Sequence, residues 1–133
     1  MRLMALDVGK RRIGVAITDP LQITARPHST IPRNKDSAAH IASVVTELQI
    51  VRIIVGLPLH LSGKEGEQAQ DVRRFASKLE EHVTVPIEFK DERLTTVEAE
   101  YRLSDRRGDW RKRKKNIDAV AASVLLEEYL RER

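Results

Sequence analysis

Apolar positions recur along the chain with two periods, one suited to strands and one to helices. Residues 3–7 and 13–18 are short β-type runs separated by Val8-Gly9-Lys10-Arg11-Arg12, which predicts a hairpin turning at Gly9. A third run, 23–31, contains Pro27 and is followed by Pro32, which suits an edge strand, where a missing backbone donor costs little. Asn34 and Asp36 are candidate caps for a helix over 37–48, with Ala38, Ile41, Ala42, Val45 and Leu48 on one face. Residues 50–57, IVRIIVGL, are almost continuously apolar, the pattern of a central parallel strand covered on both faces. Ser62 with Glu65 fits a capping box opening a helix over 65–81, whose stripe is Ala69, Val72, Phe75, Ala76 and Leu79. Residues 83–89 form the last β-branched run. Thr95 with Glu98 makes a second capping box, 106–115 reads as a loop, and Asn116 opens a final helix with Ile117, Val120, Ala121, Val124 and Leu125 as its packed stripe.

The predicted order is β-β-β-α-β-α-β-α-α. A hairpin-built antiparallel half followed by βαβ crossovers gives an α/β fold: a mixed five-stranded sheet with helices on both faces. The 133 residues suit one domain, 1–133, and no repeat or low-complexity segment interrupts them. No apolar stretch approaches the roughly 18 residues of a membrane helix, and Asp7 interrupts any signal-peptide core, so a cytoplasmic protein with no membrane partner is expected. With no Cys, a disulfide framework, a thiolate metal site and a Cys nucleophile are all excluded. A metal here must be held by oxygen or imidazole.

The formal net charge is +4, from 24 Lys and Arg against 20 Asp and Glu, and it is unevenly spread. Residues 106–115, RRGDWRKRKK, carry +6, which leaves −2 for the rest of the chain. Such a tract attracts polyanions, because each cation that neutralises a phosphate releases a condensed counterion. Within it Trp110 offers a face on which an unpaired base can stack, beside Arg111, Lys112, Arg113 and Lys114. A solvated linker is the plainer account of the same run.

Three acids stand where predicted elements end or begin. Asp7 closes the first strand, Glu92 closes the last, and Asp118 lies in the first turn of the final helix. Ligands of open α/β sheets bind at the carboxyl ends of the strands, so Asp7 and Glu92 share a candidate rim, which Asp118 joins if its helix docks there. The small residues Ala119, Ala121, Ala122 and Ser123 suit such close docking. Clustered carboxylates raise one another's pKa or recruit a cation. Sparse oxygen ligands favour Mg²⁺ or Mn²⁺, and two such ions about 4 Å apart can hold the attacking and leaving oxygens of a phosphoryl displacement. Each acid also fits a plainer role: a turn residue for Asp7, a helix-dipole partner for Asp118, a solvated charge for Glu92. Asp91 and Glu92 are adjacent in an extended segment, so only one of them faces the site while the strand continues. Lys10, Arg11 and Arg12 beside Asp7, and Arg93 beside Glu92, are candidate phosphate contacts or ordinary surface charges. His28, His40, His60 and His82 show no metal-ligand spacing.

Four stretches together, Asp7-Val8-Gly9-Lys10-Arg11-Arg12-Ile13-Gly14-Val15-Ala16, Ile53-Ile54-Val55-Gly56-Leu57-Pro58, Asp91-Glu92-Arg93-Leu94-Thr95-Thr96-Val97-Glu98-Ala99 and Asp118-Ala119-Val120-Ala121-Ala122, resemble the YqgF/RuvX family. They occur in the family's order and span the chain. The resemblance implies an RNase H-like fold, similar to the Holliday junction resolvase RuvC. It implies a divalent-metal-dependent nuclease acting on structured nucleic acid: 5′-end processing of pre-16S rRNA, with possible ribosome-associated factors, or resolution of branched DNA. Position by position it places the catalytic and metal-binding acids on Asp7, Glu92 and Asp118, with two Mg²⁺ or Mn²⁺ ions weakly held without substrate. One departure stands out: the strand ending at Gly56-Leu57-Pro58 supplies no acid where RuvC-like resolvases place one, so Glu92 must act from a neighbouring strand. Two alternatives to a nuclease follow: a non-catalytic nucleic-acid-binding module, whose expected erosion of the acids is not seen, and a nucleotide-binding phosphotransferase, which needs a second lobe.

Overall fold

The computed structural model describes residues 1–92 and 110–133, with side chains for all of these except 110–116. Strands β1 (Arg2–Val8), β2 (Arg12–Thr18) and β3 (Ala25–Pro32) are followed by α1 (Ser37–Glu47), β4 (Ile50–Leu57), α2 (Glu67–Glu80), β5 (Ile87–Asp91) and α3 (Trp110–Glu132). The sheet order is β3-β2-β1-β4-β5. β1 pairs antiparallel with β2 and β2 with β3, whereas β1–β4 and β4–β5 are parallel, so the expected mixed sheet is present. Pro27 lies on edge strand β3, opposite Ala16 and beside an irregularity in the pairing.

The period-2 alternation of the strands divides the side chains between two unlike layers. Met4, Leu6, Val8, Ile13, Val15, Ile17, Ile53, Val55 and Leu57 join Ile41, Val45, Val72, Phe75 and Leu79 of α1 and α2 in one core cluster. On the other face Leu3, Ala5, Ala16 and Ile54 meet Ala122, Leu125 and Leu126 of α3. Arg52, Glu88 and Tyr129 link the far end of α3 to the β4–β5 margin, and Lys90 pairs with Glu132 at 2.9 Å.

Several local expectations are corrected. The Ser62–Glu65 capping box does not form: α2 opens at Gly66 with no side-chain cap, because Glu65 bridges to Leu59 across the preceding loop and pairs with Arg73. Helix α1 likewise has no capping side-chain bond from Asp36. The Asn34 carboxamide oxygen instead accepts the Asp36 N–H, and the Ser37 hydroxyl donates to the Pro32 carbonyl. The last strand is Ile87–Asp91 rather than 83–89, since Val83 and Val85 pack against the core ahead of it and the Pro86 carbonyl accepts the Ile53 N–H. Helix α3 begins at Trp110, so residues 110–115 are helical rather than a loop, and Asp118 stands more than two turns inside the helix instead of in its first turn. Its packed face is Ala119, Ala122, Leu125 and Leu126, while the expected Val120 and Val124 are 47% and 44% exposed. The Thr95–Glu98 capping box and its helix lie outside the described residues.

Candidate active site

Register decides which acids share a face. Asp7 alternates with Leu3 and Ala5 on the α3 side of β1, and it pairs with Gly14 of β2. At Gly14 the backbone of α3 comes close to the sheet. A Cβ there would overlap the Asp118 carbonyl group and stand 2.9 Å from the Ala119 nitrogen. The missing side chain therefore lets the backbone of α3 rest on β2 at the residue paired with Asp7.

Gly56 performs a similar service on the other side of β1. It sits on the α3 side of β4, one residue beyond the Leu6–Val55 pair. A Cβ at Gly56 would lie 2.7 Å from Glu92 Oε2 and 3.2 Å from Leu125 Cδ2. The strand that lacks an acid thus provides a bare floor, and the carboxylate of the neighbouring strand lies over it. The Glu92 N–H donates to the Leu57 carbonyl at 2.9 Å, carrying the parallel pairing one residue past β5. Asp91 pairs with Leu57, whose side chain belongs to the opposite core, so alternation turns Asp91 away from Glu92.

Asp7, Glu92 and Asp118 are thereby on one face and at one end of the sheet. Arg12 Nε lies 3.4 Å from Asp118 Oδ2, with both side chains about a quarter exposed, at 24% and 23%. That residue, a candidate phosphate contact in the sequence, is thus also the counter-charge of a candidate catalytic acid. Among the described residues no three His, Asp or Glu side chains form a ready-made metal cluster. The donor chemistry still fits a hard divalent ion, since the acids at this end of the sheet offer carboxylate oxygens and neither sulfur nor imidazole. Lys10 and Arg11 lie in the turn between β1 and β2, and both are exposed. Trp110, Arg111, Lys112, Arg113 and Lys114 occupy the opening turns of α3, and Arg93 lies outside the described residues. His60 is exposed in the loop after β4, its ring against Gly66.

Gly14 and Gly56 lie within the motif stretches, but neither periodicity nor motif gives them a role. The available signal was a glycine inside a strongly apolar strand, which often marks a close approach of another backbone.

The family model described as RuvX, Holliday junction resolvase, matches residues 1–132. The chain belongs to the RuvX family. A relative from Roseiflexus sp. (strain RS-1) is 44% identical over 131 residues, covering 97% of this chain and 93% of its own length. Another from Pediococcus pentosaceus is 42% identical over 135 residues, covering 98% and 92%. Both bear the name "Putative pre-16S rRNA nuclease". Among solved structures the fowlpox virus Holliday junction resolvase superposes with a TM-score of 0.56 at 14% identity over 100% of both chains. Thermus thermophilus RuvC bound to a Holliday junction gives 0.52 at 14% identity, over 68% of this chain and 64% of RuvC. These neighbours establish the RNase H-like fold. Membership of the RuvX family makes the chain a nuclease, and the chemistry of that family implies dependence on divalent metal. Among the described residues no helix is long and apolar enough to cross a membrane.

Proposed function

We propose that this RuvX chain hydrolyses phosphodiester bonds near the 5′ end of pre-16S rRNA, with Asp7, Glu92 and Asp118 as its catalytic acids. The observation that carries the reading is the pair of glycine approaches, Gly14 beneath Asp118 and Gly56 beneath Glu92, which gather acids from three elements on the face that bears Asp7. The names of the relatives favour an RNA precursor as substrate. An acid displaced from β4 to Glu92 separates the site from the RuvC pattern and weighs against simple transfer of junction specificity.

Asp7, between the other two elements, would be shared by two Mg²⁺ or Mn²⁺ ions, with Glu92 and Asp118 each holding one. Bound there, the ions would supply an activated water and charge stabilisation for an in-line displacement. Arg12 orients the Asp118 carboxylate and would also offer its guanidinium to a phosphate beside the site. Lys10, Arg11 and Arg93 would contact phosphates next to the scissile one. Trp110, Arg111, Lys112, Arg113 and Lys114 would grip the backbone further away, so that α3 joins binding to placement of Asp118. The whole chain, 1–133, acts in this reading as one nuclease domain in the cytoplasm, alongside ribosome-associated factors.

The test is cleavage of a labelled pre-16S rRNA 5′ precursor and of a four-way DNA junction, each with Mg²⁺, Mn²⁺ or EDTA. RNA cut at defined positions and abolished by EDTA is expected. Cleavage of the junction alone would replace the RNA reading with junction resolution. Tight binding of both without cleavage by either metal would leave a non-catalytic module.

A further inference from the structure

The turn that carries Lys10 and Arg11 is gripped from the face opposite the acids. Arg33, the residue after β3, donates from Nη1 to the Gly9 carbonyl at 2.9 Å. The same guanidinium donates to both carboxylate oxygens of Asp71 on α2, at 2.6 and 2.9 Å. It also stands 5.5 Å from the centroid of the buried Phe75 ring. Its backbone N–H donates to the Arg11 carbonyl at 2.8 Å, while the turn closes on itself through the Gly9 N–H and the Arg12 carbonyl, also at 2.8 Å. A Cβ at Gly9 would come within 2.9 Å of that Arg12 oxygen, so glycine is needed there for closeness.

This is costly machinery for a surface turn. An exposed ion pair adds little stability, yet here a planar fork is held by a carboxylate, an aromatic ring and a backbone carbonyl, with Arg33 only 17% exposed. Lys10, Arg11, Arg12 and Arg33 also concentrate positive charge on one short stretch of structure. Asp71 offsets it: its carboxyl is held below the ordinary value first by the Arg33 hydrogen bond, with the charges of Arg33, Arg74 and Lys10 acting in the same direction against desolvation.

We infer that Arg33 and Asp71 are positioning residues that fix the β1–β2 turn so that Lys10 and Arg11 meet successive phosphates of a bound nucleic acid. The inference rests on the reading above that this turn faces the nucleic-acid backbone. Lysine at position 33 keeps the charge but lacks the fork that joins Asp71 to Gly9.

The experiment is fluorescence anisotropy with a labelled single-stranded RNA at several salt concentrations. It compares the wild type with R33K, D71N and the exchange R33D/D71R, each first checked for folding by circular dichroism. Neutralising Lys10 and Arg11 together should flatten the salt dependence of the wild type by about 1.4 in slope, roughly 0.7 for each lost phosphate contact. R33K and D71N should each show much of that flattening already, and neutralising Lys10 and Arg11 in those backgrounds should add little. The exchange restores an ion pair between the same elements but leaves the Gly9 carbonyl without its donor, so stability should recover and the slope should not. Folded variants with the wild-type slope and only a lower Tm would overturn the positioning role, as would a slope that returns with stability in the exchange. Cleavage of the same RNA reads the nuclease proposal separately: a wild type that binds with the expected slope yet never cuts would end that proposal and leave the positioning role standing.

Discussion

The two faces of the sheet are built to different thicknesses. Beneath α1 and α2 the strands present large aliphatic side chains, and Met4, Leu6, Ile13, Ile17 and Ile53 are almost wholly buried there. Beneath α3 Leu3, Ile54, Leu125 and Leu126 fill the middle of the layer, but around the acids the strands present Ala5, Gly14, Ala16 and Gly56, matched by Ala119 and Ala122 on the helix. Large side chains maximise the apolar area removed from water, at about 25 cal/mol per Å². Small ones give up part of that area and bring backbone to backbone. Asp and Glu have short reach, so acids can gather over strand ends only where the layer above is thin. The thick face accounts for much of the stability, and the thin face for the site.

That division is tested most severely by Asp7→Asn. Cleavage should fall well beyond the roughly 10–100-fold that outer-shell changes at metal sites typically cost, while the urea midpoint stays close to that of the wild type, because removing one of several neighbouring carboxylates relieves repulsion. Loss of folding in this variant would make Asp7 a structural residue. Gly14→Val comes next. Its side chain would collide with the backbone of α3 at Asp118 and Ala119, and backbone cannot step aside as a flexible side chain can. Both cleavage and stability should drop, stability by about 1–3 kcal/mol or more, as for overpacked cores.

The opposite face should separate the two readouts. Leu79→Ala, at a wholly buried position in the α2 layer, should cost about 2–5 kcal/mol yet preserve cleavage per folded molecule at temperatures below its Tm. Gly56→Ala should do the reverse. The atom its Cβ meets most closely is the end of the Glu92 side chain, which can swing away, so stability should change little while cleavage falls with the displaced carboxylate. Equal losses of stability and cleavage in both variants would erase the distinction between the faces.

The thick face was the more legible of the two in sequence. The run Ile50–Leu57 reads as a buried strand because both of its faces are apolar, and the stripe of α2 from Ala69 to Leu79 is buried as its spacing requires. The thin face was less so. Close contact of the α3 backbone with Gly14 favours a rotation that buries Ala119 and Ala122 and leaves the more hydrophobic Val120 and Val124 largely in solvent. Ala119 and Ala122 carry little hydrophobic signal, which is the reason they fit. The acids themselves were marked by the ends of elements and by the family motifs, but the shared face of Asp7 and Glu92 depends on register, and β5 begins four residues later than its β-branched run suggests. Arg33 and Asp71 are far apart in sequence, and neither motif nor periodicity links them.

The smallest expected effect lies beneath the turn, where the thick face touches the machinery of the thin one. The Asp71 carboxyl is held below its ordinary 3.8, chiefly by the Arg33 hydrogen bond. A group whose folded pKa is depressed adds stability that is present above the unfolded value and disappears as pH falls through the folded one. The difference in urea midpoint between the wild type and Asp71→Asn should therefore be level from neutral pH down to about 5 and should shrink below 3.8, as the wild-type carboxyl takes up its proton. High salt should reduce the difference only modestly, because the contact is a short bidentate bond with Arg33 partly buried rather than a distant pair of solvated charges. A difference that grew on acidification would mean that the carboxyl is not stabilised in its charged form, and Arg33 would then hold the Gly9 carbonyl without the help of α2.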